Sequence, residues 1–209
     1  MNKSIGQIIA IGGGGFGRNP NDPIIEKYIL DQCNISKPKV AFFPTATAED
    51  KQYIINFYKA FSKLNCTPFN VSLFQKTHNL KSIIEKSDII YIGGGNTKSM
   101  LGVFKEWELD KILIQAYKKG KILAGVSAGA ICLFNQGITD SWAHGLRVMD
   151  CMNLLEDESM YLASYYITAL GTEDGYTLWE KTMSNCSLNS GWTINADAAK
   201  IYGITNVFD

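Results

Sequence analysis

Through the first two thirds of the chain, short apolar runs alternate with segments of helical period. Five runs have the length and composition of buried strands: Gln7–Gly12, Lys39–Pro44, Thr67–Phe74, Asp88–Ile92 and Lys121–Val126, each ending at glycine, proline or a polar turn. Between them, Ile54, Phe57, Phe61 and Leu64 step by three, four and three, which lays one apolar stripe on a helix from about Glu49 to Leu64. Pro23 suits the first turn of a helix carrying Ile25, Tyr28 and Ile29, and Gly120 stops a helix ahead of the next strand. Strands alternating with helices predict right-handed crossovers and a mostly parallel sheet covered on both faces.

After about Thr139 the alternation fades. Asn185 to Gly191 is turn-rich, and Trp192–Asn195 and Ala199–Tyr202 are strand candidates expected to extend the same sheet. No repeat, low-complexity linker or shift of composition marks a second domain, so residues 1–209 are read as a single α/β domain.

Composition narrows the function. At 209 residues and 46% hydrophobic, the chain is long enough to bury roughly 70% of its unfolded surface. Twenty Lys plus Arg balance twenty Asp plus Glu, and only Arg18 and Arg147 are arginines. Binding nucleic acid through a basic face is not expected, because displacing counterions from phosphates takes clustered cations. Apolar runs such as Gln7 to Ile11 fall far short of the ~20 residues that span a bilayer. Met1 to Ile5 shows no apolar stretch of a secretory signal. Five widely spaced cysteines without a Cys-x-x-Cys pair point to a reduced, cytoplasmic chain with neither a disulfide framework nor a metal site.

Three glycine-bearing motifs follow predicted strands. Gly12-Gly13-Gly14-Gly15-Phe16-Gly17 contains the spacing of dinucleotide sites, but Arg18-Asn19-Pro20 follows where a helix should open, and the second strand ends at Phe43-Pro44-Thr45 without an acid. It reads instead as a glycine-rich loop at the sheet edge, and no cofactor is expected. Gly93-Gly94-Gly95-Asn96-Thr97 opens a helix near Thr97; its glycines suit an oxyanion hole or simply a tight turn. Gly125-Val126-Ser127-Ala128-Gly129-Ala130 is a G-x-S-x-G between a strand and an apolar segment. That is the pattern of a nucleophile elbow, with a serine helix cap as the plainer alternative.

The second and third motifs together resemble the peptidase E and cyanophycinase family of serine peptidases. The likeness runs from Ile11-Gly12-Gly13-Gly14 through Phe43-Pro44-Thr45-Ala46 to Thr139-Asp140-Ser141. It implies a doubly wound, flavodoxin-like sheet similar to class I glutamine amidotransferases, and hydrolysis of small, typically aspartyl, peptides. It implies Ser127 as nucleophile, Gly94 and Ala128 as oxyanion donors, and Asp140 as the acid that orients a histidine. Asn96 and Arg147 are the expected substrate contacts, Arg147 toward an acidic side chain. The family's histidine stands in a Pro-His-Tyr-like segment, where this chain has Ala163-Ser164-Tyr165, so Ser164 holds that place. The two histidines, His78 and His144, lie elsewhere.

Two readings stay open. One is a serine peptidase acting on a small peptide. The other is an impaired or inactive homologue that binds a peptide or a partner protein in the same pocket. A glutaminase is disfavoured, because position 127 is serine and not cysteine. The sequence leaves monomer and homodimer open.

Overall fold

In a computed structural model, the chain is described over residues 6–75, 79–143, 145, 147–154 and 161–162. Strands β1 (Gln7–Ile11), β2 (Lys39–Phe43), β3 (Thr67–Asn70), β4 (Ile89–Ile92) and β5 (Ile122–Val126) form one sheet in the order β1-β5-β4-β2-β3, every pair parallel. Read from the other edge, β3-β2-β4-β5 repeats the 2-1-3-4 order of doubly wound flavodoxin-like sheets, and β1 takes the fifth place. This is the α/β architecture that the alternation of apolar runs predicts.

Helices α1 (Ile24–Asp31) and α2 (Lys51–Phe61) cover one face, and α3 (Leu80–Lys86), α4 (Thr97–Glu106) and α5 (Leu109–Lys118) the other. The two-residue period of the strands divides the core accordingly. Val40, Phe42, Ile89 and Tyr91 pack with Phe57 and Phe61, while Ala41, Phe43, Ile90 and Ile92 pack with Met100, Phe104 and Leu113. Asp50, Asn79 and Asn96 cap α2, α3 and α4 by accepting the N–H groups of Tyr53, Ser82 and Ser99 at 2.8, 3.0 and 2.8 Å. Gly120, at φ 88°, ends the helix before β5, as expected.

The structure corrects several local expectations. β3 stops at Asn70 because the Glu49 carboxylate captures the Leu73 and Phe74 N–H groups that would have continued the ladder. On α1, Tyr28 is 52% exposed while Glu26 is fully buried, because the Glu26 carboxylate accepts a backbone N–H from the glycine loop. After β5 comes only a short helix α6 (Ala128–Ile131). Then β6 (Gln136–Thr139), antiparallel β7 (Arg147–Asp150) and parallel β8 (Tyr161–Leu162) form a separate three-stranded sheet in the order β7-β6-β8. These described strands build a second, smaller sheet that the sequence pattern does not announce. Four-residue strands such as Gln136-Gly137-Ile138-Thr139 are too short to show a two-residue period. The strand candidates at 192–195 and 199–202 lie outside the described residues. No described helix is long and apolar enough to cross a membrane.

Register matters most for the site. Ile11 is paired with Val126, Gly125 with Ile92, and Ile92 with Phe43. The strands thus end nearly level, and their four following loops emerge together along one edge. Doubly wound sheets bind their ligands at that carboxyl edge.

Candidate active site

Ser127 stands between β5 and α6 with φ 52° and ψ −115°, a conformation costly for any residue with a Cβ. Backbone contacts on every side hold it there. Its N–H donates to the Ile11 carbonyl at 2.8 Å, and its own carbonyl accepts the N–H groups of Ala130 and Ile131, both at 2.9 Å. The flanking glycines are obligatory. A methyl at Gly125 would lie 2.1 Å from the Gly129 carbonyl oxygen, and one at Gly129 would lie 2.1 Å from that of Ile92. The chain therefore turns sharply enough to place Ser127 half-exposed at the sheet edge.

The Gly93–Thr97 loop lies against this turn. A methyl on Gly94 would be 3.1 Å from Ser127 Cβ and 3.8 Å from Oγ. Gly95, at φ 137°, fits because a Cβ there would meet the Ala46 carbonyl oxygen at 2.3 Å, and that same carbonyl accepts the Asn96 N–H at 2.8 Å. Of the two expected oxyanion donors, Ala128 carries the first N–H of α6, which has no carbonyl partner within its own helix. The Gly94 N–H, by contrast, donates to the Tyr53 hydroxyl at 3.2 Å.

Asp140 is brought to the same cleft, a depression of about 490 Å³ that is also lined by Ser127, Gly94, Tyr53 and Arg18. Two hydroxyl contacts set its position. Thr139 Oγ1 lies 3.1 Å from Thr97 Oγ1 and 2.8 Å from Ser141 Oγ, which in turn accepts the Lys98 N–H at 3.3 Å. The segment carrying Asp140 is thereby stitched to the first turn of α4. Asn96 belongs to this stitching. Its Oδ1 caps α4 and its Nδ2 donates to the Ser141 carbonyl at 3.2 Å, so Asn96 ties the two segments together; it is not among the described residues lining the cleft.

Arg147, the other expected substrate contact, is an exposed residue of β7 with its guanidinium 5.6 Å from the centre of the Trp142 ring, and it is not among the described residues lining the cleft. The arginine at the cleft is Arg18, which follows the glycine-rich loop. Ser164, His78 and His144 lie outside the described residues.

Beneath the glycine-rich loop is a buried polar group that the sequence pattern does not reveal. Glu26 Oε1 accepts the Phe16 N–H at 2.7 Å, and Oε2 and the Tyr91 hydroxyl are buried without a partner among the described residues. Burial raises the Glu26 pKa, against the pull of backbone N–H groups, and the Asp22 charge adds to the rise. Burial also pushes the Tyr53 phenol up to about 12, with the Gly94 N–H opposing and Glu26 reinforcing. Tyr53 was legible only as a helix residue, three positions after the capping Asp50. Its role at the cleft comes from the direction in which α2 aims it.

Fold and site together define an α/β protein with a serine on a strained elbow at the carboxyl edge of a parallel sheet. The sequence profile of peptidase family S51 matches residues 8–195, and the chain belongs to that family. It is 40% identical over 194 residues to the uncharacterized peptidase YgaJ of Bacillus subtilis (strain 168), an alignment covering 92% of this chain and 81% of that one. Among solved structures, a peptidase from an acI-B1 Actinobacterium superposes with a TM-score of 0.64 at 14% identity, covering 86% of this chain and 77% of the other. A Listeria monocytogenes EGD-e protein, described as a peptidase E candidate, gives 0.55 at 23% identity, covering 73% and 77%. Both structural likenesses show the fold.

Proposed function

We propose that this chain is a serine-type peptidase that hydrolyses small aspartyl peptides through an acyl-enzyme on Ser127, in a reducing, cytoplasmic setting. The observation that carries the reading is the Ser127 elbow at φ 52° and ψ −115°, opening onto a cleft shared with Asp140. In the acylation step, Oγ bonds to the scissile carbonyl carbon and the π pair moves onto oxygen. The C–N bond then breaks, with a proton delivered to the leaving amine. Water repeats the sequence to release the acid and restore Ser127.

Ser164 stands where the family's histidine belongs, and this favours slow turnover. Without an imidazole the Oγ proton leaves to solvent. In a serine-protease series, loss of the histidine lowers kcat by about 2 × 10⁶, while an intact oxyanion hole retains roughly 10³–10⁴ over water. The same observation supports the second reading, an impaired homologue that binds a peptide or partner in the cleft.

The test compares wild type, Ser127→Ala, His144→Ala and Ser164→His on a panel of Asp-X dipeptides. The expected pattern is slow wild-type turnover, abolished in Ser127→Ala and raised in Ser164→His. Turnover unaffected by Ser127→Ala removes the serine mechanism. Robust turnover lost in His144→Ala shows a relocated histidine at work, and peptide binding without any turnover supports the second reading.

A further inference from the structure

The Gly94 N–H does not point free into the cleft; it is spent on the hydroxyl of Tyr53. A phenol offers one donor and two lone pairs. Here one lone pair accepts Gly94, and among the described residues nothing accepts the Tyr53 proton. Tyr53 and Ser127 line the same cleft and Gly94 borders both: a methyl on it would lie 3.1 Å from Ser127 Cβ, and its N–H donates to the phenol oxygen. We propose that Tyr53 is a catalytic residue, its O–H the second donor to the oxyanion beside the Ala128 N–H, with the Gly94 N–H polarising it from behind. This rests on the serine-peptidase reading above and replaces Gly94 as direct donor.

The ring is held as a fixed donor must be. Asp50 caps α2 on the Tyr53 N–H at 2.8 Å, which sets the backbone. Phe16 stacks on the ring with centroids 5.0 Å apart, and Phe42 meets it edge-on at 5.3 Å. Glycines close in on either edge: a methyl on Gly17 or on Gly93 would lie 2.9 Å from a ring carbon. A phenol pushed up to about 12 keeps its proton across the neutral and mildly alkaline range, so the donor is present wherever the serine works.

Chain polarisation adds to its strength. A hydroxyl that accepts an N–H while donating onward makes a stronger onward bond than one acting alone. The charge on the tetrahedral oxygen is where that gain is collected.

The test is Tyr53→Phe, which keeps the packed ring and removes only the hydroxyl. Turnover of an Asp-X dipeptide is measured beside binding of an aspartyl boronic acid to wild type, Tyr53→Phe and Ser127→Ala, with thermal unfolding as a check on fold. In the boronate adduct Ser127 Oγ bonds to boron, the boron becomes a tetrahedral anion, and the proton leaves to solvent. The adduct thus mimics the oxyanion without needing turnover. The expected result is kcat lower by about 10²-fold with KM unchanged. The boronate should bind correspondingly weaker, at an unfolding temperature near that of wild type. If Tyr53→Phe matches or exceeds wild type in both assays while Ser127→Ala loses both, a freed Gly94 N–H is the true donor and the Tyr53 assignment falls alone. If wild type neither turns over the peptide nor binds the boronate through Ser127, the serine-peptidase reading falls and takes this inference with it.

Discussion

Replacing Ser127 by glycine should make the protein more stable than replacing it by alanine. Both changes remove the hydroxyl, so the comparison isolates the Cβ at φ 52° and ψ −115°. A residue held in such a sparsely populated region carries about 1–3 kcal/mol of strain, and glycine relieves it. Glycine also makes the unfolded chain more disordered, which costs about 0.4–1 kcal/mol. The net gain is therefore about 1 kcal/mol, with about 2.6 kcal/mol as its ceiling. No cavity cost enters, because the side chain faces an open cleft. For a chain of this length about 1 kcal/mol corresponds to roughly 2–4 °C in the unfolding midpoint. Urea titrations of the two variants, compared at equal slope, give the difference directly. The sign decides the matter: an unstrained turn would leave alanine ahead by the unfolded-state entropy alone, and alanine ahead of glycine would refute the strained elbow.

Other outcomes follow from the same contacts. Gly129→Ala should destabilise by about 3 kcal/mol or more, at the upper end of overpacking costs, because its methyl would lie 2.1 Å from the Ile92 carbonyl oxygen and no rotamer relieves a clash with backbone; an unchanged urea midpoint would contradict the packing. Glu26→Gln keeps an acceptor for the Phe16 N–H but never ionises. Since burial raises the Glu26 pKa from 4.5, ionising it costs stability as pH rises through the folded value, and the cost is absent below the ordinary one. The stability of Glu26→Gln relative to wild type should therefore grow as pH is raised above 4.5, and a flat difference between pH 4 and 8 would count against it. If the chain cleaves aspartyl peptides, Arg18→Ala should raise KM for them about 10-fold or more, as for loss of a hydrogen bond to a charged group. Arg147→Ala, at a residue set over the Trp142 ring and not among those lining the cleft, should leave KM unchanged, and equal effects from both would put Arg147 at the site.

Much of this protein is written in its local pattern. Runs such as Lys39–Pro44 and Lys121–Val126 are buried on both faces, so their strand character shows without any knowledge of neighbours. The turn at Ser127 is equally local, because only glycines at 125 and 129 admit the backbone contacts that close it. What the pattern could not carry is which distant groups meet across the sheet edge. Asn96 and Arg147 have the right chemistry for a substrate, yet the fold gives Asn96 a helix to cap and sets Arg147 over the Trp142 ring, and neither is among the described residues lining the cleft. Arg18 and Tyr53 enter the cleft only because β1, β2, β4 and β5 end level and bring their following segments together. Glu26 sits in the first turn of α1, where an acidic residue is ordinary and exposed, and its burial depends on a backbone N–H ten residues earlier in the chain. Secondary structure and the elbow are properties of neighbours along the chain, where sterics and apolar period act directly. The partners of a polar side chain are settled by register and packing, since the same carboxylate, amide or phenol satisfies its hydrogen bonds with whatever group the fold presents.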